Sequence, residues 1–111
     1  MSAASTVHQP IQLPDWAWQR TETQQLLARR DIGALFRLAQ RYGNASQARI
    51  AAAVGISQGR VNEILHRRRE VVNLDVLLRI AEGLHMPDEA RMTMGLAPVT
   101  GPPSDGDRRV R

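Results

Sequence analysis

Residues 47–64 read QARIAAAVGISQGRVNEI, and this stretch decides the fold. Its apolar residues recur at helical spacing on either side of Gly55, with Ile50, Ala51 and Val54 before it and Val61, Ile64 and, just beyond the quoted stretch, Leu65 after it. Glycine has no Cβ, so Gly55 can adopt the left-handed backbone of a sharp turn at low cost. We therefore predict two short helices joined by a tight turn, in a unit that begins at Ser46, the expected cap of the first helix, and ends at Arg67.

The second of these helices has one apolar face and one polar face. Val61, Ile64 and Leu65 are expected to point into the core, while Ile56 fills the turn and the small Ala51 allows the two helices to cross closely. The opposite face then carries Gln58, Gly59, Asn62, Glu63 and His66. A helix presented in this way can enter the major groove of DNA, which is about 12 Å wide.

The same stretch resembles the Cro and phage-repressor-like helix-turn-helix family, also called the XRE family. The resemblance lies in the Gln that opens the first helix, the Ala at its centre, the Val-Gly turn, the Ser-Gln start of the second helix, and the Val and Ile that anchor it. Residues 73–84 look like the next helix of that family, so the resemblance covers roughly residues 31–96. Gly59 departs from the pattern, because many members carry a base-reading side chain there; Arg60 is expected to compensate.

Further helices are predicted on both sides, because the chain shows neither an internal repeat nor strand-like alternation. We expect an all-α fold, a bundle of five to six helices. Thr21 and Gln24 form a capping-box pattern for a helix that runs to Arg30. Asp31 is expected to cap the next helix, which Gly43 ends.

Two more helices are predicted downstream. Asn73 is expected to cap a helix that Gly83 ends, and Pro87 to open a last short helix that ends at Gly95. The apolar face of the first is predicted to consist of Leu74, Leu77, Leu78 and Ala81. The second carries Met92 and Met94.

Composition shifts divide the chain into four segments. We predict a flexible N-terminal arm over residues 1–14, a helical extension over 15–30, the helix-turn-helix domain over 31–97, and a disordered tail or linker over 98–111. Trp16 and Trp18 cannot share one face of a straight helix, so one is expected to cover the core and the other to face a partner. The extension resembles that of regulators from GC-rich bacteria, some of which continue into a sensor region. A downstream sensor domain or partner protein is therefore one expected associate.

Charge and composition favour a polyanionic partner. The net charge is +4 and all 15 basic residues are Arg, whose planar fork binds phosphate and guanine edges. Residues 31–72 contain seven Arg and three acidic residues, whereas residues 73–98 contain two Arg and four acidic residues, so the first part is expected to face DNA.

Cys is absent, which excludes disulfides, thiolate catalysis and Cys-based zinc sites. No apolar stretch approaches the roughly 18 residues of a membrane span, and a cytoplasmic, nucleoid-associated location is expected.

Two sets of DNA contacts are predicted. The expected base contacts are Gln58, Gly59, Arg60, Asn62 and Glu63. The expected phosphate contacts are Gln47, Arg49, His66, Arg67, Arg68 and Arg69. Three alternatives stay open: Arg60 can reach a phosphate or a guanine, Glu63 can accept from cytosine or pair with Arg67, and the Arg run can be a solvated charge cluster.

The sequence predicts a sequence-specific double-stranded DNA-binding protein that regulates transcription as a homodimer on a pseudo-palindromic site. The dimer surface is expected in residues 16–30 or around Met92 and Met94. The alternatives are an antitoxin-type interaction module that also binds DNA, and a replication or chromosome-end protein. No catalytic site, metal site or cofactor is expected, because no nucleophile, base and orienting group or set of metal ligands can be assembled.

Overall fold

The computed structural model describes residues 10–66, 71 and 73–99, and in these ranges it is all-helical. The described residues form seven helices: α1 (Asp15–Gln19), α2 (Thr21–Ala28), α3 (Ile32–Tyr42), α4 (Gln47–Val54), α5 (Gln58–Leu65), α6 (Leu74–Gly83) and α7 (Asp88–Thr93). The predicted all-α class is confirmed. The helix number exceeds five to six because the extension breaks at Arg20, whose extended backbone separates α1 from α2.

Three helices begin at the caps that the sequence predicts. The side-chain oxygen of Asp31 accepts from the Ala34 amide at 3.1 Å, and that of Ser46 accepts from the Arg49 amide at 3.0 Å. Asn73 accepts from the Asp75 amide at 2.8 Å. Each cap satisfies an amide that has no partner within its own helix, which is why these starts can be located from sequence.

Three predicted helix bounds are wrong. Thr21 is the first helical residue of α2 rather than its cap, and no side chain caps this helix. The helix also ends at Ala28, short of Arg30, which has a left-handed φ of 55°. The helix predicted to run to Arg67 ends at Leu65, where the amide of His66 closes the last turn; Arg67 itself lies outside the described residues.

The apolar face of α6 differs from the prediction. Leu77 and Ala81 are buried as expected, but the side chain of Leu74 is 60% exposed and that of Leu78 is 39% exposed. Val76 and Ile80 are buried in their place, alongside Leu84 after the helix. The reason is that α6 packs mainly on α4, and this contact rotates the helix so that Val76 and Ile80 face inwards.

Residues 10–13, which we call the strap, pack on the helices, although the sequence placed them in a flexible arm. Ile11 and Leu13 are buried in the main core, and the Ile11 amide donates to the Gly83 carbonyl at 2.7 Å. The absence of a Cβ at Gly43 leaves room for these two side chains, since a built Cβ would lie 2.8–2.9 Å from them. The strap, although part of the predicted flexible arm, is therefore packed on the core through Ile11 and Leu13; residues 1–9 lie outside the described range.

The extension and α7 close the other side of the core. α7 packs on α2, and Arg30 Nε donates to the Met94 carbonyl at 2.9 Å. Trp18 is buried and Trp16 is 54% exposed, so one Trp covers the core and the other is open, as their spacing predicts. At the predicted start of the tail, the Val99 amide donates to Asp88 Oδ1 at 2.8 Å; residues 100–111 lie outside the described residues.

None of the helices in the described ranges has both the length and the apolar character needed to cross a membrane.

Candidate nucleic-acid interface

The turn between α4 and α5 has the predicted left-handed glycine. Gly55 has φ 80° and ψ 34°, and its amide donates to the Ala51 carbonyl at 2.8 Å. Ile56, partly buried against the core, donates from its amide to the same carbonyl at 3.2 Å. Arg79 on α6 adds a further hydrogen bond, from Nη1 to the Gly55 carbonyl at 3.2 Å. The turn is therefore held by hydrogen bonds to α4 through Ala51 and to α6 through Arg79.

α5 is anchored along its apolar face and at its start. Val61, Ile64 and Leu65 are buried, as predicted. Ser57 is the N-cap, and its hydroxyl accepts from the Arg60 amide at 3.1 Å. This helix has only eight residues, too few to be stable on its own, so its orientation depends on packing against α3 and α4.

The C-terminal end of α5 is held by α3 in a way that the sequence analysis missed. The guanidinium of Arg37 donates to the Leu65 carbonyl, one of the acceptors left unpaired at a helix end. Gly33 lets the two helices approach, since a Cβ there would lie 2.7 Å from the Ile64 carbonyl oxygen. A glycine inside a helix is unfavourable by about 1 kcal/mol relative to Ala, so a glycine at position 33 indicates that another part of the chain packs closely there. This is the feature of the sequence from which the contact could have been predicted.

The predicted base-contact residues form most of the open face of α5. Gln58, Gly59 and the predicted phosphate contact His66 are exposed, while Asn62 and Glu63 are half-buried. A Cβ built at Gly59 meets no atom within 4 Å, so this position is open space. The first turn of this face therefore has no side chain at Gly59, and the polar side chains of Gln58, Asn62 and Glu63 lie around this position.

Two of the predicted site residues meet across the helices. Asn62 Nδ2 donates to Gln47 Oε1 at 3.4 Å, which places the first residue of α4 beside the middle of α5. Asn62 also accepts through its main-chain oxygen from the ring of His66, where the Nδ1 distance is 2.9 Å. Gln47, Asn62 and His66 therefore form one continuous polar surface.

The predicted arginine contacts are in different situations. Arg60 is half-buried, and its Nε is a buried nitrogen that has no hydrogen-bond partner among the described residues. Arg49 donates from Nη2 to the Pro10 carbonyl at 3.1 Å, so it ties the strap to α4. The remaining three, Arg67, Arg68 and Arg69, lie outside the described residues. The base and phosphate roles of the whole set stay predictions.

The net charge differs between the part of the chain that contains α5 and the part that follows it. Within residues 31–66 the chain has four Arg (37, 41, 49 and 60) and two acidic residues, Asp31 and Glu63. The described part of 73–99 has two Arg and four acidic residues. Residues 31–66, which include α5, therefore carry a net charge of +2, whereas residues 73–99 carry −2. A polyanion would be attracted to the first part of the chain.

Comparison with known proteins gives a match to one family model, described as a helix-turn-helix domain, over residues 31–93. This range contains α3 to α7 and therefore the whole α4–turn–α5 unit. No curated protein and no solved structure matches the chain.

Proposed function

Since the chain belongs to the helix-turn-helix domain family, a placement that indicates DNA binding, we propose that it reads a specific double-stranded DNA sequence and regulates transcription. The observation that carries the proposal is the open face of α5. This face is polar, lies beside the start of α4 and belongs to the part of the chain that has a net positive charge. In this arrangement the N-terminal half of α5 enters the major groove. The start of α4 and the arginines predicted as phosphate contacts, Arg49 and Arg67 to Arg69, meet the DNA backbone.

Asn62 and Gln58 are the residues that we propose to read bases. The amide of Asn62 can pair with adenine N6 and N7 once it exchanges its long hydrogen bond with Gln47 for the base edge. Asn62→Ala is expected to weaken binding to the preferred site by about 1–3 kcal/mol and to leave binding to a scrambled duplex almost unchanged. The preferred site is first selected from random DNA, and competition binding against both duplexes measures the difference.

A matched control is available on α2, where Gln25 is an exposed amide outside the helix-turn-helix unit. Gln25→Ala is expected to change neither affinity. If Asn62→Ala and Gln58→Ala each lost the same affinity for both duplexes, these side chains would not read sequence, and the proposed recognition face would be wrong.

We propose further that two copies bind a pseudo-palindromic site. One short recognition helix reads only a few base pairs, whereas a two-fold dimer reads two half-sites about 34 Å apart. Of the surfaces expected to form the dimer, Met92 is 58% exposed and Trp16 is 54% exposed, but Met94 is buried and is not available. Met92 and Trp16 therefore remain as candidates, and Met94 does not.

The stoichiometry tests this part of the proposal. Sedimentation of the complex with the selected duplex is expected to give two chains per site, and the selected sequence is expected to be an inverted repeat. A complex of one chain with an asymmetric site would contradict the dimer while leaving the recognition face intact.

A further inference from the structure

A cluster of aromatic and arginine side chains, exposed except for the partly buried Tyr42, lies where α1 meets the end of α3. It consists of Trp16, Arg20, Arg41 and Tyr42, which we call the aromatic–arginine cluster. The Trp16 and Tyr42 rings meet edge to face, with centroids 5.1 Å apart and an interplanar angle of 77°. The Cζ atoms of Arg41 and Arg20 lie 5.3 Å and 6.0 Å from the centre of the Tyr42 ring. Two cations and an open indole thus surround one phenol ring.

The position of the cluster relates it to the recognition helix. Tyr42 is the last residue of α3, and the chain needs only residues 43–46 to reach Gln47, whose side chain accepts from Asn62. Arg37 and Arg41 are four residues apart and therefore share one side of α3, and Arg37 donates to the end of α5. The cluster consequently lies next to the surface proposed to meet DNA.

The arginines of the cluster are free to bind an anion through their edges. A guanidinium that stacks on an aromatic ring keeps its N–H groups pointing outwards. Among the described residues Arg41 forms no ion pair, while Arg20 pairs with Glu22 at 2.9 Å on an exposed surface. That hydrogen bond with Glu22, with a smaller contribution from Tyr42, raises the pKa of Arg20 above its ordinary value. An exposed pair of this kind contributes little, so Arg20 can exchange it for a phosphate.

The cluster is also held in place before any ligand binds. Gly43 packs against Ile11 and Leu13 of the strap, which fixes the end of α3. Stacking on Tyr42 restricts the two long Arg side chains, and each immobilised side chain of this type would otherwise cost about 0.5–1.5 kcal/mol on binding. The half-exposed indole adds one further donor, since a Trp N–H can hydrogen-bond to a phosphate oxygen.

We propose that the aromatic–arginine cluster is a clamp for the DNA phosphate backbone outside the base pairs that α5 reads. Arg41 is its main phosphate contact, Arg20 a second one, and Trp16 covers the adjoining sugar and phosphate. This inference rests on the proposed DNA binding, and it adds a contact that the recognition helix itself cannot make. It extends the footprint without adding sequence information.

Trp16 can report on its own contact, because Trp18 is the only other Trp in the chain. In the Trp18→Phe protein, acrylamide quenching of Trp16 is expected to fall at least about twofold on a duplex with long flanks, because contact covers at least half of the exposed part of the ring. On a duplex trimmed to the base pairs read by α5, quenching is expected to stay as in the free protein. The Trp16→Phe protein, which keeps the buried Trp18, is the control and should show little quenching on either duplex.

Arg41→Ala measures the clamp without relying on fluorescence. Loss of one phosphate contact per chain is expected to make the slope of log affinity against log salt shallower by about 0.9 for each bound chain, and so by about 1.8 for the proposed dimer, equally for specific and scrambled duplexes. Arg29→Ala, which removes an exposed arginine at the end of α2, should leave the slope unchanged.

Each outcome decides the proposal. If the protein binds its site while Trp16 quenching and the Arg41→Ala slope are both unchanged, the clamp is wrong and the DNA-binding function stands. If the unsubstituted protein binds no duplex, the proposed function itself fails. If Trp16 becomes protected in the free protein as its concentration rises, the cluster is an interface between two copies, and the clamp is again overturned.

Discussion

Leu77→Ala is expected to lower the free energy of unfolding by about 2–5 kcal/mol, the range for removing a buried leucine side chain. Leu77 is 1% exposed and lies on the side of α6 that packs against α4. The substitution removes apolar burial and leaves a cavity between these two helices. Urea unfolding followed by circular dichroism measures the loss.

Leu74→Ala is the matched control, since it makes the same chemical change three residues earlier on the same helix. Leu74 is 60% exposed, so its substitution is expected to change stability by less than about 0.5 kcal/mol. Equal losses at the two positions would mean that α6 is rotated from the orientation described, and the face predicted from sequence would be right after all.

Gly83→Ala is expected to destabilise the fold by about 1–3 kcal/mol, because it overpacks a backbone contact. A Cβ at this position would lie 2.6 Å from the Ala53 carbonyl oxygen, 2.8 Å from its carbon and 3.1 Å from Val54 Cα. These are main-chain atoms of α4, so relief requires a shift of the helix itself. Thermal and urea unfolding of the variant give the size of the effect.

Gly59→Ala provides the opposite expectation for the same change of residue. The site on α5 is open, and replacing a helical glycine by alanine there should stabilise the protein by about 0.5–1 kcal/mol. If both variants were stabilised, the close contact of α6 with α4 would be absent. If both were destabilised, the exposure of Gly59 would be in error.

Local chemistry made the centre of the fold predictable. Ser46 and Asn73 could be recognised as caps because a short polar side chain satisfies a backbone amide only a few residues away. Gly55 could be recognised because only glycine adopts its left-handed turn easily. The burial of Val61 and Ile64 then followed from helical spacing, which left the polar face of α5 outside.

The errors arose where the outcome depends on distant parts of the chain. α6 is apolar around most of its circumference, so spacing is equally compatible with a face through Leu74 and Leu78 and with one through Val76 and Ile80. Only its contact with α4 decides between them. The strap has no periodic pattern, and Ile11 is buried because α6 supplies a carbonyl for its amide. The bond from Arg37 to α5 likewise gives no signal in either segment alone.

The strap also constrains the order in which the protein acquires its structure during synthesis. Ile11 and Leu13 are made before the helices on which they pack, and the carbonyl that anchors Ile11 belongs to Gly83, which lies 72 residues further along the chain. The helices between them form through contacts that are mostly close in sequence, and such contacts form fastest. Ile11 and Leu13 therefore leave the ribosome well before the helix that encloses them, and they stay exposed to other chains until α6 has been translated.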